Sequence, residues 1–507
     1  MSNNVRVRFA PSPTGPLHIG GVRTALFNYL FAKKHGGKFI LRIEDTDQNR
    51  YVEGAEQYII NALNWCNIPY DEGPGKEGDF GPYRQSERKE IYTQYAQELI
   101  ASGNAYYAFD TPEELGALRK DCEAKGETFI YNWSNRERLS NSISLSSEEV
   151  KNRIENGDDY VIRFLSPKNE TLYLKDSIRG DIKIDTNILD DKVLFKSDGM
   201  PTYHLANIVD DHLMKISHVI RGEEWLPSLA LHVQLYKALG WETPEFAHLP
   251  LILKPTGKGK LSKRDGDKMG FPVFPLEWID PKINEVSRGY KEDGYFAESM
   301  VNFLAFLGWN PGTEQEIFNL NELVEAFELE RVHKAGARFD PEKIKWFNHH
   351  YMQQQPNNLL AESFKKQHEA LRDIDLDYIA LVIGLIKERA TFISDFWELS
   401  NYFFETPNSY DEKALKKAVK EDTSSMLHEV LGIINNIENY TVENLQAAIK
   451  SWITTNNIGF GKVMMPLRLA LVGALQGPDV FDIMFMIGKA ETIKRIEKAV
   501  GFFNKIN

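Results

Sequence analysis

The chain has very little cysteine, no long apolar run and no signal for export. Cys66 and Cys122 are its two cysteines in 507 residues, too few for a disulfide framework or for a zinc site built on cysteine pairs. No uninterrupted apolar stretch reaches the length of about 18 residues that spans a bilayer. Residues 1–6 (MSNNVR) are not followed by an apolar signal core, so a cytoplasmic location is expected. Reduced thiols, no structural metal and no membrane contact are therefore predicted.

Positive charge is also in deficit. The chain has 60 Lys and Arg against 73 Asp and Glu, a net charge of −13, which argues against a protein that coats nucleic acid indiscriminately. Residues 254–268 have the opposite sign, because they hold six basic side chains against Asp265 and Asp267. A basic patch on an acidic protein is a place for phosphate groups, although charge alone favours a solvated loop over a phosphate site.

The N-terminal segment has the pattern of a crossover unit. Residues 5–9 alternate apolar and basic side chains and predict a strand, which a Pro- and Gly-rich loop follows. Apolar residues at helical spacing then run from His18 to a Gly36-Gly37 stop, and residues 38–43 predict a second strand. Such a unit has parallel strands. Its ligand site should lie beyond the carboxyl ends of the strands.

Composition divides the rest of the chain. Between residues 109 and 190 the pattern changes to mixed polar segments with short strands such as 160–165 and 182–184, and the parallel pattern resumes at 216–220. After about residue 325 it turns helical, with helices predicted at 381–392, 413–420, 426–437, 442–452 and 490–500. The predicted class is α/β: a Rossmann-like parallel-sheet catalytic domain with an inserted α+β domain, followed by a helical bundle. The predicted segments are 1–109 and 191–250 (catalytic halves), 110–190 (insertion), 251–325 (connecting region) and 326–507 (bundle).

Two motifs suggest an ATP site in two parts. His18 opens a helix in residues 11–21 (PSPTGPLHIGG), where free backbone N–H groups and the helix dipole favour an anion. A histidine before glycine at a helix start is common, so this motif alone is a weak signal. Residues 257–264 (GKGKLSKR) form a glycine-spaced loop with lysines on both sides of a hydroxyl. Such a flexible loop is suited to close over a triphosphate.

In order and type the two motifs resemble the HIGH-like and KMSKS-like signatures of class I aminoacyl-tRNA synthetases. Five further segments are similar to bacterial glutamyl-tRNA synthetases: residues 10–15 (APSPTG), 42–47 (RIEDTD), 81–86 (GPYRQS), 196–207 (KSDGMPTYHLAN) and 221–225 (RGEEW). The similarity runs from Arg8 to Arg468. Gly21, Leu261 and Arg264 depart from the generic class signatures, which weakens only the generic class match.

The resemblance implies a glutamate pocket whose residue types fit the substrate. Arg8 and Arg221, each at the end of a predicted strand, could pair with carboxylates, and Glu44 could hold the ammonium group. Neutral hydrogen bonds would come from Ser12, Tyr203 and Asn207. A structural alternative is that Arg8 and Glu44 simply pair with each other.

The resemblance also implies a reaction that works by alignment and charge stabilisation. His18 and Lys263 would be the main catalytic side chains, with Lys260 in support. ATP would enter with Mg²⁺ as a substrate-bound ion, and family members usually form the adenylate only with tRNA bound. The implied ATP-binding residues are Pro11, Thr14, Gly15, His18, Gly20, Gly21, Lys260, Leu261, Ser262, Lys263 and Arg264.

The implied partners are glutamate, ATP and tRNA(Glu), bound by a monomer. The insertion 110–190 would bind the acceptor end, 251–325 would contact the stem, and 326–507 would read the anticodon. Some relatives carry a zinc knuckle in the insertion; its cysteines are missing here, so no zinc is predicted. Candidate tRNA contacts are Glu224, Trp225, Arg389 and Arg468, although any one of the arginines could be an ordinary surface residue.

Three alternatives stay open. A glutaminyl-tRNA synthetase shares the catalytic fold but ends in β-barrels, which the helical pattern after residue 325 disfavours. A shorter enzyme that attaches glutamate to a modified tRNA base lacks the long C-terminal half. A catalytically silent tRNA-binding paralogue is disfavoured by intact His18, Lys260 and Lys263. Whether the glutamine tRNA is charged as well is not decided by the sequence.

Overall fold

The computed structural model describes residues 5–506. The chain divides into two compact units, with the division between Ile344 and Lys345. Every described β-strand belongs to the first unit, and the second unit is helical. The expected change from an α/β to a helical architecture is therefore confirmed.

The first unit opens with β1 (Arg6–Phe9), α1 (Ile19–Lys34) and β2 (Lys38–Leu41). The two strands are parallel, with Arg6 opposite Lys38 and Phe9 opposite Leu41. Helix α1 ends because Gly36 adopts a φ of +63° and Gly37 donates its N–H to the carbonyl of Ala32 (2.7 Å). The predicted crossover unit is thus present, and all residues of its two strands except Lys38 are buried.

The chain continues through two helices into a smaller antiparallel region. Helix α4 begins with a capping box formed by Thr111 and Glu114. Strand β4 is flanked by β3 and β7, both outside the predicted insertion 110–190, and β5 pairs with β6 as a hairpin. The predicted segment boundaries therefore do not coincide with strand pairing. The elements are α2 (Ala55–Trp65), α3 (Lys89–Ala101), β3 (Ala105–Ala108), α4 (Pro112–Ala124), α5 (Ser147–Asn156), β4 (Val161–Phe164), β5 (Thr171–Asp176), β6 (Gly180–Asp185) and β7 (Val193–Phe195).

A second parallel pair then follows α6 (Tyr203–Leu213). Strands β8 (His218–Gly222) and β9 (Glu245–Leu249) are joined by α7 (Leu229–Ala238) and run parallel, with Gly222 opposite Leu249. Ser217, directly before β8, donates its N–H to the carbonyl of Arg6 (2.9 Å). This bond brings β8 beside β1, so the carboxyl ends of both strands meet at one edge.

The connecting region contains a helix where the sequence predicts a mobile loop. Gly257 and Gly259 have positive φ, +76° and +109°, and form a true loop, but Ser262 and Asp265 make a capping box that starts α8 at Lys263. Lys263 and Arg264 therefore lie on a helix, which corrects that part of the expectation. The elements here are β10 (Ile252–Leu253), α8 (Lys263–Met269), β11 (Trp278–Ile279), β12 (Val286–Ser287), α9 (Ala297–Phe306), α10 (Leu320–Ala326) and β13 (Ala337–Arg338).

The remaining helices are α11 (Pro341–Gln354), α12 (Asn357–Gln367), α13 (Leu376–Ile386), α14 (Asp395–Phe404), α15 (Glu412–Ala418), α16 (Thr423–Asn436), α17 (Val442–Thr455), α18 (Phe460–Val472), α19 (Val480–Ile487) and α20 (Lys489–Ile506). The helix predicted at 381–392 is wrong in its second half. The Asp395 carboxylate accepts the N–H groups of Thr391 and Phe392 (both 2.9 Å), which draws the chain out of helical geometry before α14 begins.

Candidate active site

A cavity of about 710 Å³ lies at the carboxyl ends of β1, β2 and β8, where the crossover pattern predicts a ligand. It contains the residues of both sequence motifs and of the predicted amino-acid pocket. The sequence-predicted residues that line it are Arg8, Pro11, Ser12, Thr14, His18, Gly20, Gly21, Glu44, Tyr203, Asn207, Arg221, Glu224, Trp225, Lys260 and Leu261. Gly15, Ser262, Lys263 and Arg264 lie outside its wall.

His18 is the N-cap of α1. Its Nδ1 accepts the N–H of Gly20 at 3.0 Å, while its Nε2 is buried and has no partner among the described residues. Burial, with the nearby Lys260 ammonium, lowers the pKa of His18 to about 4, so the ring is neutral at pH 7. A neutral ring that accepts at Nδ1 carries its proton on Nε2. His18 therefore offers the cavity one uncharged hydrogen-bond donor.

Arg8 and Glu44 do not pair with each other, which removes the structural alternative for them. Arg8 binds Asp211 through Nε (2.9 Å) and Nη2 (3.2 Å). Glu44 accepts from Arg42 (3.0 Å) and from Asn207 (3.1 Å). Burial raises the pKa of Glu44, against the opposing effect of the Arg42 and Arg8 charges. Both groups are thus fixed at the cavity wall by other side chains.

Arg221, 4% exposed, is almost fully engaged. Its Nε donates to His248 Nε2 (3.0 Å), Nη1 reaches the Tyr203 hydroxyl (3.0 Å) and His232 Nδ1 (3.2 Å), and Nη2 donates to the Trp225 carbonyl (3.3 Å). A guanidinium has five N–H groups. Four are used, so one remains for a ligand in the cavity that Arg221 lines.

Two of the three lysines in the second motif, Lys260 and Lys263, are held by carboxylates. Lys260 donates to Glu224 (2.8 Å) at the cavity wall. Lys263 instead pairs with Glu285 and borders a separate cavity of about 170 Å³ with Phe271 and Arg288. The structure therefore brings Lys260 to the site but not Lys263.

The predicted tRNA contacts are divided. Glu224 and Trp225 belong to the cavity, where the Trp225 ring lies 4.2 Å from that of Tyr203. Arg389 and Arg468 lie in the helical unit; Arg389 is exposed, and Arg468 donates to the Pro478 carbonyl (2.6 Å). The structure thus brings two of the four predicted tRNA contacts, Glu224 and Trp225, to the cavity.

Sequence reasoning missed the buried ion pairs beneath the cavity. Arg42 bridges Glu44 and Asp211 (2.7 Å to the latter) and is fully buried. The sequence contained one signal for Asp211. It follows the predicted pocket residue Asn207 by four positions, and this spacing puts both side chains on one face of a helix. Asp176 and His248, which support Arg221, gave no comparable signal, because they lie 72 positions apart.

The described residues contain neither a cluster of metal ligands nor a membrane-spanning helix. No group of three or more His, Cys, Asp or Glu side chains that could hold a metal ion occurs between residues 5 and 506. Within the same residues, no helix is long and apolar enough to cross a membrane.

Known proteins and family models match nearly the full length of the chain. A family model described as tRNA synthetases class I (E and Q), catalytic domain, matches residues 4–346, and one described as anticodon binding domain matches residues 351–500. Glutamate–tRNA ligase of Christiangramia forsetii is 69% identical over 502 residues, covering 99% of each chain, and that of Flavobacterium johnsoniae is 64% identical with the same coverage.

Solved structures agree. The crystal structure of a glutamate tRNA ligase from Elizabethkingia meningosepticum in complex with its amino acid has a TM-score of 0.95 at 54% identity and covers 98% of this chain and 99% of that one. The similarity thus spans both the cavity-bearing unit and the helical one. The chain belongs to the glutamate–tRNA ligase family of class I tRNA synthetases.

Proposed function

We propose that the chain activates glutamate with ATP to glutamyl-adenylate and transfers the glutamyl group to the 3′ end of tRNA(Glu). One observation carries the proposal: a single cavity brings His18 and Lys260 together with Arg8, Glu44 and Arg221. The cavity thus holds residues of suitable chemistry for the nucleotide, for the ammonium group and for the carboxylates of the amino acid. Family membership supports the same reaction.

Charge at the inner end of the cavity favours glutamate over glutamine. The buried cluster there holds four positive charges and three negative ones, which leaves one positive charge in excess: Arg8, Arg42, Arg88 and Arg221 against Glu44, Asp210 and Asp211. Glutamate carries two carboxylates and one ammonium group, so its net charge of about −1 complements that excess. Glutamine is neutral overall and would leave one guanidinium unpaired.

Within this pocket we assign each contact by chemistry. Arg8 and the one free N–H of Arg221 bind the carboxylates, and Glu44 binds the ammonium group. Tyr203, Asn207 and Ser12 fix orientation through neutral hydrogen bonds. Because neighbouring side chains hold each of these groups except Ser12 in place, little reorganisation accompanies binding.

The nucleotide would lie over the start of α1, with Gly20 and Gly21 allowing close approach. An oxygen of the glutamate α-carboxylate attacks the α-phosphorus of ATP, and pyrophosphate leaves with the electron pair of the broken P–O bond, with Mg²⁺ as its substrate-bound ion. His18 donates its Nε2–H to the developing phosphate charge. A terminal hydroxyl of tRNA then attacks the activated carbonyl, and AMP leaves. Further ATP contacts are assigned to Pro11, Thr14, Gly15, Lys260, Leu261, Ser262, Lys263 and Arg264.

Lys263 reaches the pyrophosphate only if the start of α8 moves. The two glycines with positive φ, Gly257 and Gly259, precede it and supply a hinge. Closure would exchange Glu285 for the triphosphate as the partner of Lys263.

For tRNA, we propose that 110–190 binds the acceptor end, 251–325 contacts the stem and the helical region reads the anticodon. Glu224 and Trp225 would contact the arriving 3′ end, and Arg389 and Arg468 the anticodon loop. We propose a zinc-free monomer that needs tRNA for adenylate formation and works in the cytoplasm, where its tRNA and ATP substrates occur together.

The test is aminoacylation with purified glutamate and glutamine tRNAs, each with both amino acids. We expect glutamate to be transferred to tRNA(Glu), and the same assay reports whether tRNA(Gln) is also charged. Preferential transfer of glutamine would overturn the assignment in favour of the glutaminyl enzyme. Binding of tRNA without charging would identify a silent paralogue.

A further inference from the structure

Arg221 is held from behind by a hydrogen-bonded series that starts in the β5–β6 hairpin. Asp176 Oδ2 lies 2.6 Å from His248 Nδ1, and His248 Nε2 accepts from Arg221 Nε at 3.0 Å. All three side chains are buried, with 1%, 0% and 4% exposure respectively. We refer to them as the Asp176–His248–Arg221 network.

The donors and acceptors in this network allow one arrangement. Arg221 can only donate, so His248 Nε2 must be the unprotonated nitrogen. Burial lowers the pKa of His248, against the opposing effect of its bond to Asp176, so the ring is neutral and its proton lies on Nδ1. A carboxylate at Asp176 accepts that proton and thereby selects this tautomer.

Asp176 itself is fixed by the hairpin turn. Its Oδ1 accepts the N–H groups of Ile178 (3.0 Å), Arg179 (2.8 Å) and His248 (3.3 Å). Arg179 in the same turn donates to the His248 carbonyl (3.1 Å) and pairs with Glu223 at 2.5 Å. The turn thus binds His248 on β9 and Glu223, directly after β8, from outside the cavity.

We propose that Asp176 and His248 are positioning residues for Arg221. Together they fix the imidazole tautomer that accepts from Arg221, and so hold its guanidinium where its one free N–H meets a carboxylate of the amino acid. The inference deepens the proposed function and rests on it. Neither residue touches the cavity, since Asp176 and His248 are absent from its wall.

Asp176→Asn tests this with little change in shape. Three backbone N–H groups require an oxygen at the Oδ1 position, so the new amide NH₂ faces His248 Nδ1. That nitrogen must then accept, its proton moves to Nε2, and two donors oppose each other at Arg221. We expect the KM for glutamate to rise about tenfold or more, as the loss of a charge-assisted bond would give, with the KM for ATP within about twofold.

A second substitution separates positioning from folding. His248→Gln can place its amide oxygen near Arg221 Nε without any tautomer to select. Asp176→Asn should therefore raise the glutamate KM only when His248 is present, and add little in the His248→Gln background. Asp181→Asn, at an exposed position on β6, is the matched control and should leave both KM values unchanged.

The outcomes are distinct. If the wild type charges tRNA with glutamate but Asp176→Asn leaves its KM unchanged, or acts equally in both backgrounds, the positioning role is refuted while the function stands. If the wild type charges a different amino acid, the proposed function fails and the same comparison is made with that substrate. Histidine ¹⁵N shifts give an answer independent of activity: His248 should be protonated on Nδ1 in the wild type and on Nε2 in Asp176→Asn, and an unchanged tautomer refutes the network.

Discussion

Lys263 occupies the first turn of α8, where Glu285 is its partner. We expect Lys263→Ala to slow adenylate formation by about 100-fold or more, because a charge contact made in the transition state is lost. Glutamate binding should persist, since Lys263 lies outside the cavity wall in the resting state. The measurement is tRNA-dependent ATP–pyrophosphate exchange together with direct titration of glutamate.

Lys258→Ala is the control for this change, because Lys258 is an exposed lysine of the same loop and has no assigned role. Exchange rates that match the wild type in Lys263→Ala would remove Lys263 from the mechanism. A comparable loss in both variants would instead indicate a general effect of positive charge.

At single residues, sequence reasoning reached the side chains that face the ligand but not those that hold them. His18, Arg8, Glu44 and Arg221 stand in or beside recognisable motifs and line the cavity. Arg42, Asp211 and His248 are buried behind them, and they bind partners far away in sequence, up to 203 positions for Asp211 and Arg8. Pairs of residues this far apart in sequence are recognised only in the folded structure. The resting position of Lys263 depends likewise on a distant partner.

At the scale of elements, the crossover unit depends on the close approach of Gly37 to β1. A Cβ on Gly37 would overlap the carbonyl oxygen and the side chain of Val5. We expect Gly37→Ala to lower the free energy of unfolding by about 1–3 kcal/mol, the usual cost of overpacking, and so to lower the Tm by a few degrees. Thermal unfolding followed by circular dichroism measures the shift.

Gly116→Ala is the paired control. Gly116 lies within α4 and has nothing within 4 Å of its Cβ position, so alanine should be neutral or stabilising by up to about 1 kcal/mol. Equal Tm values for the two variants would contradict the packing argument for Gly37.

The elements that the sequence predicted well are those with local signals. Helix α1 has a stop at Gly36, so its end follows from short-range chemistry. The end of α13 at Ile386 has no such local signal: a short 3-10 turn follows, and the Asp395 carboxylate then accepts the N–H groups of Thr391 and Phe392. The sheet of β3, β4 and β7 crosses the predicted insertion boundaries for the same reason: strand pairing joins segments that composition separates.

For the whole molecule, partly buried histidines make stability depend on pH. Burial lowers the pKa of His18 and of His204 to about 4, from an ordinary value of 6.5. Between these values the unfolded chain binds more protons than the folded one, so stability should fall as the pH decreases from 6.5 towards 4. Tm values measured from pH 7.5 to pH 5 should show this decline.

His204→Gln should make the decline in Tm less steep, because one partly buried group with a lowered pKa is removed. Between pH 7.5 and pH 5 the Tm of this variant should therefore fall by less than the Tm of the wild type. His333→Gln, at an exposed position, should follow the wild-type curve throughout. A His204→Gln curve parallel to that of the wild type would show that this histidine does not contribute.

The net charge of −13 bears on how the molecule meets RNA. Binding should rely on a limited set of basic contacts, so we expect the KM for tRNA to rise about tenfold or more between about 50 and about 200 mM salt, while the KM for glutamate changes little. Random-sequence duplex DNA should not compete at the higher salt. Strong competition by that DNA would contradict selective docking.

The two lysine–carboxylate pairs, Lys260 with Glu224 and Lys263 with Glu285, give the resting site a way to distinguish nucleotides by length. When the site closes, each lysine must exchange its carboxylate for a phosphate group. Lys263 lies farther from the cavity than Lys260, so in the geometry proposed above it meets the terminal phosphate of the nucleotide. ADP lacks the γ-phosphate, so it has less charge with which to displace Glu285. We therefore expect ADP and AMP to bind in the cavity without moving α8 towards it. Only ATP, the nucleotide that can react, would then close the site.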